Sequence, residues 1–396
     1  MPRKKSGAAA NKATPLLDVA KEFDAFRPAS SVLREVRAVP TCFIQFDHAT
    51  RVGGLPVDRF GLVHGPSSEG KTTFCIGLLG SFLVLEHLAR LIDAERTTPF
   101  SWPRKFIGPP ASTWRFGALR PETYEACQQT VRADLVKLRK LRAGGHVPEW
   151  MTALYVLDSF KKLTPEGFFD KITKAADGKA QKDRRGKEKK IGFDGASGRA
   201  GQLKALYNAA WLDELTALLD DCGAGFLAIT RETEEIETQG FNAGEITIKI
   251  QGGKALIYDS SYVIRVTKEG DVYDREYDKA GDNSDRQLLG EKFAFAFEKT
   301  KVSGRKERRT IGHFHVSNGN LFPEGFDRPR DVLELAERFE VVRQGGGAWL
   351  QWGRQRLAQG RLKALERLWK EPDTLALLEA ECRERFANVE PVEEST

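Results

Sequence analysis

Residues Gly65–Thr72 read GPSSEGKT, a glycine, four residues, then glycine, lysine and threonine. That spacing suits a polyphosphate. The glycines let backbone N–H groups converge on anionic oxygens, and a helix starting at the loop adds the positive end of its dipole. Lys71 can neutralise the β- and γ-phosphates, Thr72 can offer its hydroxyl to Mg²⁺, and Thr73 stands beside it. Gly65, Pro66, Ser67, Ser68, Glu69 and Gly70 form the cradle itself. ATP and Mg²⁺ are the expected cofactors, and ATP hydrolysis is the expected chemistry.

Two carboxylates stand where such chemistry needs them. Asp158 ends an apolar run, LYVLDS, and an acid there can reach the Mg²⁺ shell. The same Asp-Ser pair also suits an ordinary helix N-cap, although the phosphate loop favours the metal role. Glu95 ends the run LIDAE. A carboxylate beside the γ-phosphate can orient and polarise the attacking water, and an exposed acid at a strand end has the same spacing. A third feature is basic. Residues 171–190 hold nine Lys or Arg against Asp177, Asp183 and Glu188. They suit either a solvated loop or a segment that orders on a nucleic-acid backbone.

The elements that must position these groups follow from the pattern. FGLVHG predicts a strand before the loop, and TTFCIGLLGSFLVLEHLA a buried helix after it. ARLIDAE (Ala89–Glu95), MTALYVLDS (Met151–Ser159) and GFLAITRE (Gly225–Glu232) predict further strands. Residues 120–142 and LKALYNAAWLDELTALLDDC predict helices between them. Alternating strands and helices imply an α/β fold with a mainly parallel sheet. From about residue 255 the pattern changes: ALIYDSSYVIRVTKEG, KFAFAFEKTKV and RRTIGHFHVSN predict successive strands that extend the sheet by antiparallel pairing.

Five units are expected along the chain. Residues 1–14 read as a disordered basic tail, and 15–40 as an N-terminal arm with an amphipathic helix over 15–37. Residues 41–327 form the core. Residues 328–388 form a small α/β unit with a tryptophan-bearing strand, and 389–396 an acidic tail. The stretch Gly167–Gly201 is the longest without a predicted element, which points to a functional or disordered loop.

Composition bounds the class. The 396 residues are 40% hydrophobic and 30% charged, which suits a soluble protein of two or three domains. No run approaches the ~20 apolar residues of a membrane span, and the basic N-terminus has no apolar stretch after it, so neither a membrane nor a secretory route is expected. Cys42, Cys75, Cys127, Cys222 and Cys382 are scattered and odd in number. They read as buried thiols in a reducing compartment, and the expected location is cytoplasmic. The net charge of +6 is mild; its placement in an internal basic block with an acidic tail suggests a polyanionic partner.

Taken in order, these residues resemble the bacterial RecA recombinase family, including its phage members. GGLPVDRFGLVHGPSSEGKTT is similar to that family's phosphate loop and lead-in, and LIDAERTTPFSWPRKF to its catalytic-glutamate segment. LYVLDSFKKLTP resembles its metal-side strand and the start of its first DNA loop. GGKALIYDSSYVIRV resembles the strand after its second DNA loop, and FEKTKVSG a strand whose lysines reach ATP across a subunit interface. The segment from Arg330 to Asp373 resembles the family's C-terminal domain. The resemblance covers residues ~15–388 in order.

It implies a RecA-type P-loop ATPase core with a short N-terminal helical arm and a small C-terminal α/β domain. It puts Glu95 and Lys71 in catalysis, Trp102 against the adenine, Thr72 and Asp158 on Mg²⁺, and Lys299 and Lys301 on the neighbouring subunit's ATP. DNA loops are implied near 163–201 and 232–253, with Lys182, Arg184, Arg185, Lys187, Lys189, Lys190, Arg199, Lys204 and Phe241 as candidates. Phe241 equally fits a core or hinge. The family's γ-phosphate-sensing glutamine is replaced by Arg231, or by Thr230 if the register shifts by one, and an arginine cannot supply an amide's acceptor. The second loop opens on Glu232, Glu234, Glu235 and Glu237, and the first is longer and more basic than the family's usual form.

The implied function is an ATPase that forms helical filaments on single-stranded DNA and exchanges strands with duplex DNA in recombination and repair. One alternative is a DNA-bound scaffold or SOS-type co-protease acting on a LexA-type repressor. Another is a ring-forming P-loop helicase.

Overall fold

The computed structural model describes residues 35–166, 181–182, 188–189, 193–236, 246–251, 254–274, 286–302 and 310–388. The predicted basic tail, the arm up to residue 34, the acidic tail, and Arg184, Arg185, Lys187, Lys190 and Phe241 lie outside the described residues.

The first element among the described residues is β1 (Ala38–Val39), which pairs antiparallel with β2 (Leu55–Pro56) around α1 (Ile44–Thr50). β3 (Phe60–His64) runs into the phosphate loop and α2 (Lys71–Val84). Then come β4 (Leu88–Asp93), α3 (Ser101–Ile107), β5 (Phe116–Leu119), α4 (Tyr124–Ala143) and β6 (Ala153–Asp158). β7 (Gln181–Lys182) pairs with β8 (Glu188–Lys189), and α5 (Phe193–Cys222) leads to β9 (Gly225–Ile229). β10 (Glu232–Ile236) pairs antiparallel with β11 (Ile246–Ile250), apart from the main sheet. α6 (Lys254–Asp259) precedes β12 (Tyr262–Tyr273), β13 (Leu288–Thr300), β14 (Thr310–Ser317) and β15 (Gly325–Phe326). The C-terminal part comprises α7 (Arg328–Arg338), β16 (Val342–Gln344), β17 (Trp349–Trp352), β18 (Gln355–Gln359), α8 (Arg361–Lys370) and α9 (Pro372–Asn388).

The main sheet has nine strands in the order β15-β14-β13-β12-β3-β9-β6-β4-β5. From β12 to β5 every neighbouring pair is parallel, and β12 to β15 pair antiparallel. The expected mixed, mostly parallel α/β fold is therefore observed. β3, β6 and β9 are buried along their whole length, which is why FGLVH, ALYVLD and GFLAI are apolar runs without alternation. One face packs against a phenylalanine-rich cluster that includes Phe43, Phe46, Phe74, Phe295 and Phe314. The other packs against Tyr124, Leu135, Trp211 and Leu215 from α4 and α5. α4 shows why it is a helix: Thr123 caps it by accepting the Ala126 N–H, and Tyr124, Cys127, Val131, Leu135 and Leu138 bury one stripe.

Several predicted boundaries move. The helix after the loop stops at Val84, because Leu88 and Ala89 are taken into the sheet by β6 and β5. Ala255–Asp259, predicted as strand, is helix; strand pairing starts at Tyr262. Residues 225–232 are not one strand: β9 ends at Ile229, and Glu232 opens the separate β10–β11 pair. Gly167–Gly201 is not wholly without structure, since α5 starts at Phe193. Arg199 and Lys204 thus stand on a helix and not in a loop. The cysteines are free as expected, four of them buried and Cys42 half-buried. Among the described residues no helix is long and apolar enough to cross a membrane.

The C-terminal elements form a third apolar cluster, which also takes in Ile44 and Leu289. A buried ion pair ties it to α1. Arg383 donates to Asp47 at 2.7 Å and to the Thr41 carbonyl at 3.1 Å, and Asp47 also accepts from the Thr41 hydroxyl and N–H. Burial pushes the Asp47 carboxyl up to about 7, against the pull of Arg383 and Thr41. Arg383→Ala is expected to cost about 3 kcal/mol or more, because it leaves a carboxylate buried without its cation. The sign with pH follows. A folded-state pKa above the unfolded value makes stability fall as pH rises from about 4 through the folded value. Removing the arginine raises that folded value further, so the loss in the variant should be larger at pH 8 than at pH 5. Denaturant melts of variant and wild type at the two pH values measure it.

Candidate nucleotide-binding site

Four adjacent parallel strands, β3, β9, β6 and β4, end on one edge of the sheet. Gly65 follows β3, Arg231 lies two residues past β9, Asp158 ends β6, and Glu95 lies two residues past β4. Strands lie ~4.8 Å apart, so residues separated by up to 166 positions become neighbours at the carboxyl edge, where open α/β sheets bind ligands.

The loop conformation needs its glycines. Gly65 has φ +152°, and a Cβ there would meet the Val266 carbonyl oxygen at 2.1 Å. Gly70 has φ +83° at the N-cap of α2, with the Phe293 ring 2.6 Å from where a Cβ would stand. Ser67 and Ser68 are exposed, Pro66 is half-buried, and Thr73 is buried. The half-buried Glu69 accepts the Lys268 N–H of β12, which pins the loop to the sheet. Lys71 is buried and folds back onto its own loop, donating to the carbonyls of Gly65 (3.0 Å) and Pro66. Burial and the nearby Arg231 guanidinium push its ammonium down. A polyanion at the loop would relieve both effects.

Thr72 donates its hydroxyl to Asp158 Oδ2 at 2.6 Å. Burial pushes the Asp158 carboxyl up; Thr72 opposes this, and Glu95 and Asp93 add to it. An acidic, buried, oxygen-only pair of this kind fits Mg²⁺, which takes one or two protein oxygens and completes its shell with water and phosphate. Among the described residues there is no cluster of three or more side chains of the kind that would hold a metal without a nucleotide.

Glu95 is held from two sides. Ser159 donates its hydroxyl to Oε1 at 2.7 Å, and Arg231 Nη2 donates to Oε1 and Oε2 at 3.1 and 2.9 Å. Its backbone N–H donates to the Asp158 carbonyl, so β4 and β6 fix it at both ends. Asp93 accepts from Arg120 at 3.0 Å and from the Thr97 N–H, closing the turn that carries Glu95. Ser159 and Asp93 were not singled out in the sequence, although both sit within the quoted strand ends LDS and IDAE. The signal was present as polar residues flanking each candidate acid.

Trp102 is half-buried on α3, its ring 6.5 Å from that of Phe106. Lys299 and Lys301 do not join the loop of their own chain. Lys299 donates to the carbonyls of Ile257 and Tyr258, the latter at 2.8 Å, and Lys301 to Tyr258 at 3.3 Å. They cap the C-terminal end of α6, where a cation meets the negative end of the helix. Thr230 is buried and donates its hydroxyl to the Gln251 carbonyl, which leaves Arg231 as the residue facing the site. Lys182 and Lys189 lie on the short β7 and β8 ladder.

Known proteins match this chain along nearly its whole length. Three proteins named RecA, from Syntrophus aciditrophicus (strain SB), Chlorobaculum tepidum and Xylella fastidiosa (strain M12), are each 25% identical to it. The matches span 356, 345 and 382 residues, or 90%, 87% and 96% of this chain and 86%, 82% and 92% of the relatives. The chain is similar to proteins named RecA over most of its length. No protein-family model matches it.

Proposed function

We propose that this chain is a RecA-family, DNA-dependent ATPase that forms filaments on single-stranded DNA and promotes homologous pairing and strand exchange. The observation that supports it most is the convergence of Lys71, the Thr72–Asp158 pair and Glu95 at the carboxyl edge of β3, β6 and β4. In this reading Gly65–Thr73 cradle the phosphates, Lys71 turns from its carbonyls to the β/γ-phosphates, and Trp102 stacks on adenine. Thr72 and Asp158 would hold Mg²⁺, which would supply charge neutralisation to the phosphates. Glu95 orients the attacking water. Lys299 and Lys301 leave α6 to reach the nucleotide of the next protomer, so assembly and turnover become interdependent.

We assign residues 15–40 to an oligomerisation arm, 41–327 to the ATPase core and 328–388 to the C-terminal domain. The segments 163–201 and 232–253 carry the DNA contacts, to single- and double-stranded DNA. Neutralising Lys187, Lys189 and Lys190 is expected to lower the slope of log affinity against log salt by about 2 for three lost single-strand phosphate contacts. Fluorescence anisotropy at several salt concentrations reads it, and an unchanged slope returns the block to a solvated loop.

One observation favours a second reading. The Arg231–Glu95 pair occupies the water-activating carboxylate, which suits a scaffold or repressor co-protease that hydrolyses ATP slowly and exchanges strands poorly. DNA-dependent ATP hydrolysis measured alongside strand exchange separates the two. Joint molecules with DNA-stimulated turnover support the recombinase, and turnover without joint molecules supports the scaffold.

A further inference from the structure

The residue before the phosphate loop is His64, and it is almost fully buried. β3 is otherwise apolar, and packing alone would be served by another valine or leucine. A buried imidazole needs partners, and its partners come from two other segments. Nε2 lies 2.9 Å from Oε2 of Glu298, with hydrogen-bond geometry. Nδ1 lies 2.9 Å from Oε1 of Glu232, at ion-pair distance but without hydrogen-bond geometry. Arg265, the register partner of His64 across β12, holds both oxygens of Glu232 at 2.7 and 3.1 Å.

The two carboxylates stand at informative places. Glu232 is the first residue of β10, the root of the β10–β11 pair. Glu298 is the extra residue of a β-bulge: Ile264 pairs with Phe297 and Val263 with Lys299, so three residues of β13 lie opposite two of β12. A bulge re-aims side chains, and here it turns Glu298 to His64 directly before Lys299. The backbone repeats the link. The Gly65 carbonyl accepts from both Lys71 Nζ and the Glu232 N–H, at 3.0 and 3.2 Å. One short stretch, His64–Gly65, thus touches the loop lysine, the root of β10 and the strand of Lys299 and Lys301.

We infer that His64 is a positioning residue that transmits the state of the phosphate loop to the root of β10–β11 and to the Lys299–Lys301 strand. The inference rests on the nucleotide reading of the loop. When phosphate draws Lys71 off the Gly65 carbonyl, that carbonyl is left to Glu232, and the shift brings Glu232 Oε1 and His64 Nδ1 into line. The imidazole then holds Glu232 and Glu298 together, so both segments change with the loop. A buried ion cluster that served only the fold would be indifferent to nucleotide.

The test is hydrogen exchange by mass spectrometry on the full chain, with and without Mg²⁺ and the slowly hydrolysed analogue ATPγS, and no DNA. In wild type the analogue is expected to slow exchange several-fold in peptides covering 65–73, 230–236 and 296–301. His64→Phe should keep the first change and lose the other two. His64→Gln, which can still donate to Glu298, should retain the change at 296–301. Glu298→Gln, a half-exposed site with little risk to folding, should weaken the response at 296–301 and spare that at 230–236. Wild-type-sized responses at both remote segments in His64→Phe would overturn the inference, as would a wild type that responds at 65–73 alone. No response at 65–73 in wild type would instead overturn the nucleotide reading, and the coupling with it.

Discussion

Lys71→Ala is expected to lower ATP turnover by at least about 10²–10³-fold, the usual cost of deleting a preorganised charge at a phosphoryl-transfer centre. It should also weaken nucleotide binding, since the ammonium serves ground and transition states alike. The structure makes the experiment clean. Among the described residues, Lys71 donates to two carbonyls of its own loop and to no other element. The Gly65 carbonyl keeps the Glu232 N–H as a partner after truncation. Alanine is compatible with helical backbone at the first position of α2. Thermal unfolding without nucleotide should therefore shift little, while the stabilisation that Mg²⁺-ATP gives the wild type should vanish. Near-normal turnover in the variant would remove the loop from the chemistry.

The firmest sequence reading was the loop itself, because its glycines, lysine and threonine are fixed by backbone geometry and phosphate chemistry within eight residues. Asp158 and Glu95 were legible as strand-end acids, but their roles were open. Spacing along a strand does not say which strands become neighbours. That is decided by sheet order, β3-β9-β6-β4, which brings Ser159 to Glu95 and Thr72 to Asp158. Ala255–Asp259 carries no period that separates strand from helix, and its last carbonyls are capped by Lys299 and Lys301 from more than 40 residues away. His64 is illegible in the sequence for a similar reason. A lone histidine ending an apolar strand is unremarkable until Glu232 and Glu298 arrive from two other segments.

Glu95→Gln is expected to retain ATP binding and to slow hydrolysis by about 10²–10⁴-fold, the range of a positioned general base. Glutamine keeps the shape and one acceptor oxygen, so Ser159 can still donate to it. It loses the charge that holds Arg231, and the carboxylate that could take a proton from water. Two consequences separate this role from a structural one. First, binding and turnover part company: affinity for a fluorescent ATP analogue should stay within a few-fold of wild type while turnover collapses. Second, the freed Arg231 guanidinium faces the phosphates without its carboxylate partner, so affinity should shift towards tighter binding. A base-only role for Glu95 would leave affinity unmoved, and a Glu95 that merely anchors Arg231 would move affinity and spare turnover. The Arg231–Glu95 pair places both outcomes within one measurement, because the same carboxylate that would activate water is the one that now holds the arginine.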